Sequence, residues 1–129
     1  MTKVNDFVVK FANVNGSGSA SANLMFAKSI FRMGIPVTPK NIFPSNIQGL
    51  PTWFEVRISK DGYAARREGI DCFITLNPQT YQTDMKEILS GGYLIYDNTM
   101  PRNFSRKDIN YIGIPMASIC ADHYDDPRQ

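Results

Sequence analysis

The stretch that most limits what this chain can fold into runs from Phe7 to Phe31, where an apolar run, a glycine-rich turn and a helical stripe follow one another directly. Phe7-Val8-Val9-Lys10-Phe11-Ala12, inside the span Asp6 to Asn13, is rich in β-branched and aromatic residues and reads as a buried strand. Asn13-Val14-Asn15-Gly16-Ser17-Gly18-Ser19 cannot continue it, because two glycines and four short polar side chains favour turns and positive φ. From there Ala20, Leu24, Ala27 and Phe31 fall at i, i+4, i+7 and i+11, one face of a helix. Ser19 or Ser21 is the expected N-cap, and Gly34 with Pro36 the expected stop. A strand that feeds a helix through such a turn is the repeating unit of an open α/β sheet.

The remaining segments fit that class. Ile35 to Val37 begins a second short strand, and Thr38 to Pro51, with three prolines, reads as a loop too long to be a mere connector. Phe54, Val56 and Ile58 alternate with Glu55, Arg57 and Ser59, which predicts a strand with one buried and one wet face. Lys60-Asp61-Gly62 then turns it into a hairpin with Tyr63 to Arg67. Gly69 to Leu76 reads as a more fully buried strand, Asn77-Pro78 opens a helix to about Leu89, and Gly91-Gly92 closes it. Tyr93 to Tyr96 and Tyr111 to Met116 are the last expected strands, separated by a polar turn at Ser105 to Asp108. The expected fold is therefore α/β: a Rossmann-like open mixed sheet, mostly parallel, flanked by helices and carrying an inserted β-hairpin.

Composition narrows the function more than the fold. The 129 residues suit a single domain, and 43% hydrophobic against 20% charged residues can fill one core. A net charge of +2 gives no basic excess for nucleic acid or an anionic membrane surface. No run approaches the roughly 18 apolar residues of a membrane span, and the expected location is cytoplasmic. The two cysteines, Cys72 and Cys120, lie far apart, without the spacing of an iron–sulfur or zinc site, and are expected to stay reduced. His123, the one histidine, with Asp122, Asp125 and Asp126, reads as part of a solvated polar end.

The turn itself is the strongest chemical feature. Between a strand and a helix, glycine-rich backbone lets N–H groups and the helix dipole converge on a phosphate, and Gly16 to Ser21 is the candidate anion site. The dinucleotide fingerprint G-x-G-x-x-G is absent, so a tight turn without a ligand remains the competing reading. Trp53, Phe54 and Phe43 flank the long loop and either stack on a base or cover the sheet. Arg57, Lys60, Arg66 and Arg67 place positive charge around the expected hairpin, on a phosphate contact or simply on a solvated face. The residues by themselves give an α/β domain with an anion-binding turn and a long partner-facing loop but no reaction, which leaves open an independent Rossmann-like module that binds a nucleotide or other phosphorylated ligand.

The run Phe11 to Asn23, followed by Phe43-Pro44-Ser45-Asn46-Ile47-Gln48-Gly49-Leu50-Pro51 and the strand Glu55-Val56-Arg57-Ile58-Ser59, resembles the gamma domain of 2-oxoacid:ferredoxin oxidoreductases. The similarity spans nearly the whole chain, which looks like one gamma-type domain, residues 1–129, of the kind fused ahead of a thiamine-dependent domain in the large alpha subunit of 2-oxoglutarate-type enzymes. A fragment of such a longer subunit is therefore expected. The turn keeps Gly16, Gly18 and Ala22-Asn23, but has Asn13 and Asn15 where separate gamma subunits carry glycines, and Ser17 in place of Gln. The resemblance implies a complex that decarboxylates a 2-oxo acid such as 2-oxoglutarate or pyruvate, reduces ferredoxin and passes the acyl group to coenzyme A. Within it, Asn15, Gly16, Ser17, Gly18, Ser19, Ser21 and Asn23 would form a coenzyme A phosphate loop, and Ser45, Asn46, Gln48 and Gly49 would face the partner or the substrate entrance. It implies no catalytic residue and no cofactor held by this chain alone. Thiamine diphosphate, magnesium and iron–sulfur clusters would belong to the partners, namely the thiamine-binding alpha domain and the beta subunit, with ferredoxin docking on the complex.

Overall fold

The computed structural model describes residues 5–43, 49–62 and 68–125. In chain order the elements are β1 (Asp6–Val14), α1 (Ser19–Arg32), β2 (Val37–Ile42), β3 (Pro51–Ser59), β4 (Ile70–Thr75), one 3-10 turn (Pro78–Thr80), α2 (Tyr81–Glu87), β5 (Ile88–Asp97), β6 (Asn110–Ile114) and α3 (Met116–His123). The six strands make one sheet in the order β2-β3-β1-β4-β5-β6. β1, β4, β5 and β6 pair parallel, while β3 runs antiparallel to both β1 and β2. Every strand but β3 therefore points the same way, which is the expected mostly parallel mixed sheet.

The inserted antiparallel pair is β2 with β3. Residues 63–67, expected to return along β3, lie outside the described residues, and β3 already has β1 on one side and β2 on the other. β2 also takes up the first part of the expected Thr38–Pro51 loop. β3 departs from its predicted wet face as well, because Phe54 through Ser59 are all buried. Arg57 enters the interior with its charge met, bridging Asp6 at 2.7 Å and donating to the Ile58 carbonyl at 2.7 Å.

Alternation along the strands sorts the core to the two faces of the sheet. Val8, Ala12, Ile70, Phe73, Met85, Ile88, Leu94 and Ile109 pack on the α2 side, with Trp53, Phe104 and Tyr111 against them. Val9, Phe54, Val56 and Ile58 pack on the other side under Ala27 of α1. The helix is where it was expected, but its buried stripe is Asn23, Ala27 and the half-buried Ile30, so Leu24 and Phe31 of the predicted stripe are exposed.

The second half of the chain differs more. Asn77 and Pro78 do start a helix, with the Asn77 carboxamide capping the Gln79 N–H at 3.0 Å, but it ends at Glu87 and β5 begins at Ile88. Gly91 and Gly92 lie inside β5, not at a helix end. A Cβ on Gly92 would sit 2.7 Å from Ile88 Cγ2 and 2.8 Å from the Asp71 carbonyl, so only glycine permits that irregular stretch of the strand pair. Arg106 closes the helix instead, its Nη1 donating to the Met85 and Ile88 carbonyls at 2.6 and 2.7 Å while Asp108 holds the guanidinium. The polar end containing His123 includes a helix, α3, whose first turn is capped by Asp97: Oδ2 accepts from the Ala117 N–H at 3.3 Å.

Candidate functional site

β1 delivers its last residues to the rim of the sheet, where the chain must turn sharply into α1. Gly16 and Gly18 adopt φ of 85° and 80°, the left-handed region that glycine enters without steric cost. The Ser17 N–H closes the turn on the Val14 carbonyl at 3.2 Å, and the Ser17 hydroxyl donates to the Ser19 hydroxyl at 3.0 Å. The β1–β3 pairing runs on past the strand ends: Asn15 N–H donates to the Leu50 carbonyl at 2.9 Å, and Gly49 N–H to the Asn15 carbonyl at 3.0 Å. The glycine-rich turn and the base of the long loop are thus one hydrogen-bonded unit.

Neither predicted serine caps the helix. Gly18 is the N-cap residue and has no side chain with which to cap the first-turn N–H groups, and no acidic residue lies in that turn. Those N–H groups carry the positive end of the α1 dipole, with no cap side chain at Gly18 and no carboxylate in the first turn to compensate it. They border a cavity of about 390 Å³ lined by Asn13, Asn15, Gly16, Gly18, Ser19, Ala20, Asn23, Asn41, Phe43, Thr52 and Phe54 among others. Its size is that of an ordinary small-molecule site. Two of the side chains in its wall are buried and polar: Asn13 is 2% exposed and Asn23 5%.

Of the residues predicted for an anion loop, Asn15, Gly16, Gly18, Ser19 and Asn23 line this cavity. Ser21 lies on another groove of α1 with Leu24, Met25, Lys28, Ser29 and Arg32, and Ser17 lines neither. Ser45, Asn46 and Gln48 lie outside the described residues, and Gly49 is tied to Asn15 as above. Asn13 stands out in the sequence only as a departure from the glycine of separate gamma subunits, and Asn41 and Thr52 carry no signal beyond being polar residues at or near strand ends. Thr52 donates to the Ile42 carbonyl at 3.2 Å, and the Asn13 carbonyl accepts from Asn77 Nδ2 at 3.4 Å, which fixes the strand end from behind.

The flanking aromatics have separate roles. Phe54 is buried in the core under α1 and Phe43 is half exposed at the cavity edge, but Trp53 packs on the opposite face of the sheet. There its Nε1 donates to Asp84 Oδ1 at 2.9 Å, and Thr80 Oγ1 donates to the other carboxylate oxygen. Lys10, 3% exposed, lies 5.9 Å from the Trp53 ring centroid and 5.8 Å from that of Phe73, and bridges to Glu87 at 2.6 Å. Burial pushes the Asp84 carboxyl above its ordinary range, against the lowering effect of the Thr80 and Trp53 hydrogen bonds. This polar cluster braces β3 against α2, and Trp53, which also lines the cavity, joins it to the site. Burial also raises the Cys72 thiol, with Asp71 adding to the effect, consistent with an inert core cysteine. Among the described residues no group of His, Cys, Asp and Glu is placed to hold a metal ion, and no helix is long and apolar enough to cross a membrane.

Comparison with known proteins gives a consistent result. Residues 8–128 match the family model for pyruvate ferredoxin/flavodoxin oxidoreductase. Subunit alpha of 2-oxoacid:ferredoxin oxidoreductase 2 from Aeropyrum pernix is 26% identical over 82 residues, which are 64% of this chain and 13% of that relative. The fold superimposes on 2-oxoglutarate:ferredoxin oxidoreductase from Magnetococcus marinus, a structure with 2-oxoglutarate, coenzyme A and succinyl-CoA bound, with a TM-score of 0.85 and 22% identity, covering 98% of this chain and 22% of that one. It also matches the keto/oxoacid ferredoxin oxidoreductase gamma subunit from Geobacter sulfurreducens, with a TM-score of 0.71 and 15% identity over 91% of this chain and 65% of that one. A third likeness is the pyruvate oxidoreductase subunit PORC from Thermotoga maritima, at 0.73 and 17%, over 92% and 67%. The chain therefore spans a small part of the large subunits it resembles and about two thirds of the gamma-type chains.

Proposed function

The chain belongs to the pyruvate ferredoxin/flavodoxin oxidoreductase family, and from that premise we propose that it serves as the gamma-type domain of a 2-oxoacid:ferredoxin oxidoreductase. Its task is to hold the phosphate end of coenzyme A and to dock on the domains that carry the reaction. Thiamine diphosphate in a partner domain supplies the carbon chemistry, and iron–sulfur clusters there accept the electrons. In this reading the chain contributes binding and position, and the partner domains the chemical step.

The observation that carries the proposal is the uncapped N-terminus of α1 opening on the 390 Å³ cavity. Backbone N–H groups at such an end bind phosphate without a basic side chain. The Asn15–Gly49 hydrogen bond ties the turn to Gly49, the one described residue of the expected partner-facing set. For docking, α1 offers Leu24, Met25 and Phe31, with Met33 just past its end, the last two 68% and 73% exposed. Large apolar side chains concentrated on one helix favour a protein contact.

The test is Ala20→Asp in the assembled complex. Ala20 lies in the first turn of α1 and lines the cavity, so a carboxylate there occupies the charge position meant for phosphate. The same carboxylate stabilises the helix by about 0.3–1 kcal/mol, so folding is not the casualty. The expected result is a KM for coenzyme A raised tenfold or more with the KM for the 2-oxo acid unchanged. An unaltered coenzyme A dependence would remove the phosphate-binding role.

A further inference from the structure

All 12 Asp and Glu residues of the chain lie outside residues 7–54, a stretch that holds Lys10, Lys28, Arg32 and Lys40. Lys10 is buried against Glu87, and Lys40 stands opposite Glu55 in the β2–β3 register. That leaves Lys28 and Arg32, both exposed and one turn apart on one face of α1. Neither α1 nor the neighbouring β2 contains a carboxylate, and the acids of the next strands are engaged elsewhere: Asp6 bridges Arg57, and Glu55 is 3% exposed. The same face of the helix is apolar. Leu24, Lys28 and Phe31 follow at i, i+4 and i+7, and Leu24, Met25, Lys28 and Arg32 line a groove of about 490 Å³ along α1. Only Asn23 and Ala27 of the whole helix are buried, so this surface has no cover within the domain.

We propose that the outer face of α1 docks on an acidic protein surface of the thiamine-binding partner, whose carboxylates meet Lys28 and Arg32 while its apolar side chains fill the groove beside Leu24 and Met25. The inference rests on the gamma-type reading for the existence of that partner, and adds the chemistry by which this face recognises it. Charge of one sign with no compensating acid repels a basic surface and favours a complementary one. The two cations therefore set orientation and partner choice, and the apolar contact supplies most of the affinity. An anionic bilayer is a poorer fit, because membrane-binding segments carry clusters of about four to eight cations and this groove has Lys28 and Arg32 alone.

The experiment treats the assembled complex with a carbodiimide, which joins a lysine amine to a carboxylate in direct contact, and locates the linked peptides by mass spectrometry. The expected product links Lys28 to an Asp or Glu of the thiamine-binding partner. Lys28→Gln with Arg32→Gln should leave the circular dichroism spectrum of the chain unchanged, lower its affinity for that partner about tenfold at about 0.15 M salt, and flatten the salt dependence of the association. Reversing the linked carboxylate to lysine should weaken the native chain in the same way, and Lys28→Glu with Arg32→Glu should restore binding to that reversed partner. No link at Lys28, a link to a carboxylate of a second copy of this chain, or equally tight binding to vesicles containing phosphatidylserine would overturn the inference. If the glutamine pair leaves the affinity unchanged while Leu24→Glu with Phe31→Glu abolishes it, the docking reading stands and the acidic partner surface does not. If neither pair weakens the association, α1 is not the docking face at all.

Discussion

Replacing Asp84 by alanine should destabilise the domain by about 2–4 kcal/mol, and the reason lies in what the carboxylate holds. Asp84 is 1% exposed and accepts from Trp53 Nε1 at 2.9 Å and from the Thr80 hydroxyl. Truncation leaves the indole N–H in a dry interior without an acceptor, which costs about 1–3 kcal/mol, and the vacated volume adds to it. With an urea slope of about 1.5 kcal/mol per molar for a domain of this size, the midpoint should fall by about 1.3–2.7 M. Asp84→Asn is the informative control, because its amide oxygen still accepts from the indole while the Thr80 hydroxyl turns to accept from the amide nitrogen; its midpoint should stay within about 1 kcal/mol of the native one. The two native-like proteins separate with pH. A carboxyl whose folded pKa is raised contributes stability that is fully present below its unfolded pKa of about 3.9 and is lost as pH rises through the folded value. Asp84→Asn lacks that loss, so its stability relative to the native chain should grow from about pH 4 upward. Far-UV circular dichroism is the suitable probe, since Trp53 is the only tryptophan and belongs to the perturbed cluster. Equal midpoints for Asp84→Ala and the native chain, or an asparagine variant as unstable as the alanine one, would refute this reasoning.

Two further perturbations address the site and the docking surface. Gly18 sits at φ 80° with nothing within 4 Å of an added Cβ, so Gly18→Ala meets only backbone strain. A left-handed residue costs about 1–2 kcal/mol and the stiffer unfolded chain returns about 0.4–1, so a net loss of about 0–1.5 kcal/mol is expected, smaller for Gly18→Asn, in urea titrations. Leu24→Glu with Phe31→Glu should leave the thermal midpoint of the isolated chain within a few degrees, because both side chains are exposed, yet abolish co-purification with the thiamine-binding partner on size exclusion.

Much of the frame was legible because strand–turn–helix order is written locally. Asn15-Gly16-Ser17-Gly18 marks the turn by itself, and Ile70 to Thr75 is apolar enough to read as a strand anywhere. What was not legible depended on distant neighbours. The apolar spacing places the α1 stripe one position away from its true place, because Asn23, a polar residue, faces inward at the cavity. Glu55 and Arg57 suggested a wet face, but Asp6 brings a counter-charge to Arg57 from another strand. Gly91-Gly92 has the composition of a helix stop, and only the approach of Ile88 and the Asp71 carbonyl shows that it is a strand irregularity. α3 has no buried residue and thus no periodicity to read, its start being set by Asp97 twenty residues earlier. Asn13 reads as a turn former at the end of a strand; it is buried only once β3 and α1 close around it.

The central claim is that this chain works as one part of a larger 2-oxoacid:ferredoxin oxidoreductase. The most direct measurement is affinity purification of the tagged chain from its native host, with the intact mass of the retained species, the thiamine diphosphate and iron content, and 2-oxo acid-dependent ferredoxin reduction assayed with and without coenzyme A. Recovery in a larger assembly containing both cofactors, with ferredoxin reduced only when coenzyme A is present, is the predicted result. A lone 14.5 kDa chain that binds a phosphorylated ligand by itself and brings down neither cofactor would contradict it.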